Sequence, residues 1–295
     1  MSAAHQATRL GGATNPAVKV RPQSQRTTNE LLLRVLIGGL LAAIAVGATV
    51  VGGYLFAGFV AIAAVAAARE WHRMIGTDRY GREWIATSLS VTAAIVAVVM
   101  SQNALWPVGI LFAGALLAAT LGATRGAPLS WSGFGPLYLG VPACALVALR
   151  EDAAHAEWIV LGIFVVIWSA DTGALVAGRM FGGPKLIPSL SPSKTWSGLI
   201  GGLALPAIFA AGFVSAFGGS GLRGFALGLL LAAVGHSGDL FESWVKRRVG
   251  RKDSGKSLPG HGGVLDRLDS TLFVAPLAAL LVFVFGVSQL FGVHA

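Results

Sequence analysis

From Leu31 onward the chain is a succession of long apolar runs divided by short polar segments. A membrane crossing takes about 20 apolar residues. The first run, Leu31 to Ala68, is too long for one crossing and is expected to be two helices turning near Gly47 to Gly53. Further spans are expected at 86–102, 105–123, 133–149, 157–178, 197–217, 221–245 and 270–292. The pattern predicts an all-α, polytopic integral membrane protein of about nine transmembrane helices. Composition agrees: 55% of residues are hydrophobic, only 12% are charged, and mean hydropathy is +0.72. A soluble domain would carry roughly a quarter charged residues.

Charge sets the orientation. With the N-terminus inside, the tail, 69–85, 124–132, 179–196 and 246–269 hold 19 of the 22 Lys and Arg residues. Inner segments of membrane proteins carry such an excess, so the N-terminus is expected in the cytoplasm and the C-terminus outside. Residues 1–30 read as a disordered, basic cytoplasmic tail, and 31–295 as a single transmembrane catalytic domain. Its cytoplasmic loops at 179–197 and 246–269 are the candidate active-site segments. A net charge of +9 could suggest nucleic acid, but basic residues confined to short loops suit anionic ligands and lipids better. The single cysteine, Cys144, rules out a disulfide framework and a cysteine-based zinc site.

One polar island stands out, Asp239 to Asp269. It holds seven of the 22 basic and five of the 13 acidic residues. Asp239 and Ser243 are four apart and share a helix face, with Lys246 one turn further along. A charge at the end of an apolar span is costly unless paired, and carboxylate and hydroxyl oxygens suit a hard cation such as Mg²⁺. Asp266 and Asp269 again share a face, with Arg267 between them. The glycines around His261, at 260, 262 and 263, allow the backbone to approach a neighbour closely. The alternative is that these acids only pair with nearby Lys and Arg. Within the island Gly250 to Ser257, GRKDSGKS, imitates a nucleotide-binding P-loop. That loop needs a strand before it and a helix starting at its Lys. A charged helical segment precedes it and Pro259–Gly260 follows, so the match is read as false.

A second island surrounds Asp171 and the run from Phe181 to Gly202. Ser191, Pro192, Lys194 and Thr195 place hydroxyls and an ammonium at a helix start, either as an anion seat or as an ordinary N-cap. Asp171, ionisable inside an apolar span, is a candidate functional group.

The spacing of Ser243, Lys246, Arg247, Lys252, Asp253, His261, Gly262, Gly263, Asp266, Arg267 and Asp269 resembles the signature of the phosphatidate cytidylyltransferase (CDP-diacylglycerol synthase) family. Ser191, Pro192, Lys194 and Thr195 resemble a second segment of that family, with Ser197 standing where the family often has Glu. The resemblance covers roughly 31–292 and implies attack of phosphatidate on the α-phosphorus of CTP, yielding CDP-diacylglycerol and pyrophosphate. It also implies Mg²⁺, with K⁺ beside it, a homodimer, and a site at the cytoplasmic face of the cell's inner membrane. On this reading Asp239 and Asp266 hold the metal with Ser243 in support. Asp269 is a further ligand or orients Arg267, while Lys246, Arg247, Lys252, His261 and Lys194 neutralise phosphates. Substrate contacts are further expected from Ser191, Thr195, Asp253, Gly262, Gly263 and Asp171. Two rivals are a cytidylyltransferase for another lipid phosphate and an ion-coupled transporter using Asp171 and Asp239.

Overall fold

A computed structural model describes residues 23–76, 81–101, 103–152, 156–255, 257–258 and 262–286, with side chains from Val35 onward. Its described residues form nine helices and one small hairpin. In order these are α1 (Gln23–Val51), α2 (Gly53–Met74), α3 (Arg82–Met100), α4 (Leu105–Ala123), α5 (Leu129–Asp152) and α6 (Ala156–Phe181). The hairpin follows as β1 (Lys185–Ile187) and β2 (Ser191–Thr195), then α7 (Trp196–Ala216), α8 (Gly221–Arg248) and α9 (Leu265–Phe285). Eight helices, α2 to α9, are long and apolar enough to cross a membrane, and α1 adds a shorter apolar stretch at Val35–Val51. The chain is an all-α, multi-pass membrane protein.

The expected turn between the first two helices falls at Gly52, whose φ of 71° suits glycine. Arg150, at the far end of α5, donates to the carbonyls of Thr49 (2.7 Å) and Val50 (3.2 Å), satisfying the free end of α1.

Three boundaries differ from expectation. The structure begins α1 at Gln23, so residues 23–30 are helix rather than disordered tail; their Gln, Arg and Glu are good helix formers, and the apolar segment beyond extends the helix backward. Residues 1–22 lie outside the described part. The loop expected at 246–269 narrows to 249–264. Lys246, Arg247 and Arg248 form the last turn of α8, and Asp266 sits in the first turn of α9. Both placements follow the helix dipole, which favours cations at the C-terminus and anions at the N-terminus. The segment 179–197 is not an irregular loop but a helix end followed by the antiparallel hairpin, with Lys185 opposite Thr195.

Small residues set how closely the helices pack. Gly173 of α6 lies against the Gly201 carbonyl of α7, and Gly224 and Gly228 of α8 lie against α7. Gly238 lies against the main chain of α9 at Asp269. A β-carbon at any of these positions would collide, which is the small-residue packing typical of helices in lipid. Beside the site, Trp71 of α2 is fully buried in an aromatic cluster with Trp131, Phe134 and Tyr138 of α5. Phe241 of α8 joins that cluster through Phe134 and Tyr138 and also touches Phe273 of α9. The aromatic block joins the N-terminal helices to the two that carry the polar island.

Candidate active site

The polar island is built where α8 ends and α9 begins. Because Gly238, one residue before Asp239, has no side chain, α8 approaches the main chain of α9 closely at Asp269. Asp269 interacts electrostatically with Asp239 and with Asp171 of α6, so three helices contribute carboxylates to one region. Like charges gathered this way need cations. Lys194 supplies one: its ammonium forms an ion pair with Asp239 Oδ2, and the two side chains are 26% and 28% exposed. Lys194 and Arg267 also act on Asp171.

Lys194 reaches Asp239 because the hairpin holds it. The next residue, Thr195, is the N-cap of α7, its hydroxyl accepting from Gly198 N at 3.1 Å. Ser197 Oγ donates to the Gly182 carbonyl and lies 3.1 Å from Thr195 Oγ1, closing the base of the hairpin. Arg247 of α8 donates to the Leu190 carbonyl at its tip (3.2 Å). Of the two alternatives read for the Ser191–Thr195 segment, the structure shows the N-cap. Thr195 caps the helix, and Lys194 is turned toward an acid.

Asp266 forms a second centre. Its Oδ1 accepts from Lys246 Nζ at 2.8 Å, its Oδ2 accepts from Gly263 N at 2.9 Å, and Ser254 N lies 3.3 Å from both oxygens. Lys246 is also 3.3 Å from Oε1 of Glu242, one helical turn back. These side chains are nearly dry, at 13% exposure for Lys246, 11% for Asp266 and none for Glu242. Removing the lysine would strand two buried carboxylates, a loss of about 3–5 kcal/mol.

Between α8 and α9 the loop makes a tight return. Gly250 (φ 68°) ends α8, and Gly262 (φ 81°) carries the bridge in which Leu258 N donates to its carbonyl at 2.9 Å. The exposed side chains of Arg247, Arg251, Lys252 and Asp253 face outward around it. The next described helix begins at Leu265, and Gly255 and Ser257 on either side of the P-loop-like lysine are not helical. His261 and Gly260 lie outside the described residues.

The structure thus divides the sequence-predicted residues into two sets. Lys194 pairs with Asp239, and Asp171 and Asp269 act on that pair only through longer-range charge; Lys246 and Asp266, with Gly263, meet at the other centre. Ser243 is half-buried one turn from Asp239, and Arg267 is exposed beside Asp266. Among the described residues no three His, Cys, Asp or Glu side chains already converge as a metal cage. The two acids expected to hold a cation each hold a lysine ammonium, so both are seats for positive charge. That donor chemistry fits a hard divalent ion.

Two residues escaped the sequence reading. Glu242 could have been found from its spacing, four before Lys246. Glu70 of α2, only 3% exposed, accepts from Leu265 N at 2.8 Å and from Ser254 Oγ at 3.4 Å. Its one sequence signal is an acid near the end of an apolar run.

The chain is similar to known proteins over most of its length. The model of the cytidylyltransferase family matches residues 32–285. The chain is 39% identical over 269 residues to the phosphatidate cytidylyltransferase of Brucella suis, covering 88% of this chain and 94% of that one. It is 42% identical over 149 residues to the enzyme of the same name from Staphylococcus haemolyticus, covering 49% and 55%. With Haemophilus influenzae the figures are 39% over 154 residues, 50% and 54%. A match running from α1 to the end of α9, across both halves of the polar site, makes this chain a member of the cytidylyltransferase family.

Proposed function

We propose that the protein transfers the CMP unit of CTP to phosphatidate, forming CDP-diacylglycerol and pyrophosphate for phospholipid synthesis. The observation that carries the reading is the meeting of Lys194 with Asp239, in the field of Asp171 and Asp269, beside a loop rich in exposed cations. The names and coverage of the relatives support it. In the reaction a phosphate oxygen of phosphatidate bonds to the α-phosphorus of CTP. The bond from that phosphorus to the bridging oxygen breaks, and its electrons leave with pyrophosphate.

The difficulty is electrostatic, since a dianionic head group must approach a triphosphate. Lys194, Lys246, Arg247, Lys252, His261 and Arg267 offset that charge and hold the two phosphates for in-line attack. Gly262 lets the main chain turn close to the phosphates, Gly263 supports Asp266 through its N–H, and Thr195 caps α7 so that Ser191 and Lys194 stand at the rim with Asp253. Asp239 and Asp266, with Ser243, are the residues that would hold Mg²⁺, and K⁺ beside it; Asp269 adds negative charge and orients Arg267. When bound, Mg²⁺ would supply charge neutralisation at the phosphoryl oxygens and the leaving pyrophosphate. Lys194 and Lys246 stand beside those acids, where they would meet the substrate phosphates. We place this site on the cytoplasmic side of the inner membrane, where the basic segments lie, with a homodimer as the working unit. A transport pathway would need acids near mid-membrane. Here the hairpin brings Lys194 to Asp239, and Asp266 lies in the first turn of α9 beside the loop.

The test uses purified protein, labelled CTP and either phosphatidate or a polyprenyl phosphate, after chelation and with Mg²⁺ restored. The expected result is Mg²⁺-dependent CDP-diacylglycerol and pyrophosphate, with the prenyl phosphate at least about tenfold poorer, a difference of about 1.4 kcal/mol. Product from the prenyl phosphate alone would move the assignment to another lipid phosphate. Absence of any nucleotidyl product from folded protein would end it.

A further inference from the structure

Glu70 belongs to α2, yet its carboxylate is buried 184 residues away along the chain, against Ser254, and 195 residues away, against Leu265. Those two contacts lie on either side of the loop's return. Ser254 is 2% exposed in the segment that follows α8, and Leu265, fully buried, opens α9. The loop glycines are shaped to this one side chain. A β-carbon on Gly255 or on Gly263 would run into the Glu70 carboxylate. The close neighbour of Gly263 is therefore a carboxylate of α2 together with Ser254. Asp266 grips the same two stretches from the other side, through Ser254 N and Gly263 N.

Glu70 itself stands on a rigid element. The next residue, Trp71, is fully buried, and its Nε1 donates to the Trp131 carbonyl at 3.1 Å. An acceptor fixed in this way can hold a moving partner in place. It also takes up a main-chain N–H at the start of α9, which has no partner within its own helix.

We propose that Glu70 is a positioning residue for the phosphate-binding loop. By accepting hydrogen bonds from Leu265 N and Ser254 Oγ it ties both ends of the loop, and the first turn of α9, to the N-terminal helices. It touches no reacting atom and acts through Asp266, Arg267 and Asp269, whose helix start it sets. The proposal rests on reading residues 249–264 as the segment that binds substrate phosphates.

The experiment compares wild type with Glu70→Gln and Glu70→Met in full-length, detergent-purified protein. Gln keeps an acceptor oxygen; Met keeps the volume and removes it. The first readout is the rate of tryptic cleavage within 247–252, measured without substrate. The second is kcat and KM for CTP in the transfer to phosphatidate. In the Met variant cleavage should rise about tenfold and kcat fall on the order of 10- to 100-fold, the scale of a reacting group displaced by about 1 Å. The Gln variant should stay within about threefold on both, since an amide oxygen still accepts both bonds. Unchanged cleavage and kcat in Glu70→Met overturn the proposal, and so does an equal loss in Glu70→Gln. Should the Met variant not be recovered folded, Glu70→Asp, whose shorter arm withdraws the carboxylate from Leu265 N, is read by the same two criteria. Cleavage needs no substrate, so a wild type making no CDP-diacylglycerol would refute the function while leaving the brace to be judged separately.

Discussion

Lys194 and Asp239 form an ion pair across 45 residues of chain, joining the hairpin before α7 to the C-terminal half of α8. Neither side chain is deeply buried, so the pair contributes about 1 kcal/mol or less to stability. On the proposed function, it keeps an ammonium and a carboxylate together where phosphate and cation would meet.

Lys194→Ala and Asp239→Asn should therefore fold and insert normally while losing about 10²- to 10³-fold in turnover, the usual scale for removing one charge-stabilising group. Lys194→Arg should recover only part, because a planar guanidinium does not replace a compact ammonium. Turnover of labelled CTP by equal amounts of membrane-inserted protein checks this. A Lys194→Ala enzyme within twofold of wild type would remove Lys194 from the machinery.

Gly238→Ala should harm both stability and activity. Its β-carbon would press on the main chain of Asp269 and force α8 and α9 apart, an overpacking cost of about 1–3 kcal/mol. Gly212→Ala in α7 is the control. Nothing lies within 4 Å of a β-carbon there, so the change should be neutral or stabilising by up to about 1 kcal/mol. Thermal unfolding in detergent, followed with the CTP assay, separates the two. Equal melting behaviour would mean that the α8–α9 contact does not set the spacing of the acids.

Orientation is open to direct labelling. In a Cys144→Ser background, Lys252→Cys should react with a membrane-impermeant maleimide only after the inner membrane is opened. Glu151→Cys, exposed at the opposite end of the bundle, should react in intact spheroplasts. The reverse pattern would put the loop on the wrong side for CTP and defeat the proposed mechanism.

Much of this protein is written locally. Apolar runs of spanning length, with Lys and Arg gathered in alternate segments, give the helices and the orientation expected of them, because hydropathy and charge bias act on contiguous residues. The turn at Gly52, the false P-loop and the spacing from Ser243 to Asp269 were legible for the same reason. Helix ends were less so. Lys246 and Asp266 look like loop residues by polarity, but the helix dipole and their mutual ion pair draw them into α8 and α9.

Tertiary structure alone decided the partners. Nothing in the order of residues says that Lys194 turns to Asp239 rather than to a phosphate. Nor does it say that Gly263 is small to admit Glu70, or that an acid in α2 satisfies the first N–H of α9. A buried polar group must find its complement wherever packing brings one. In this fold that complement lies 195 residues away, beyond the reach of any local pattern.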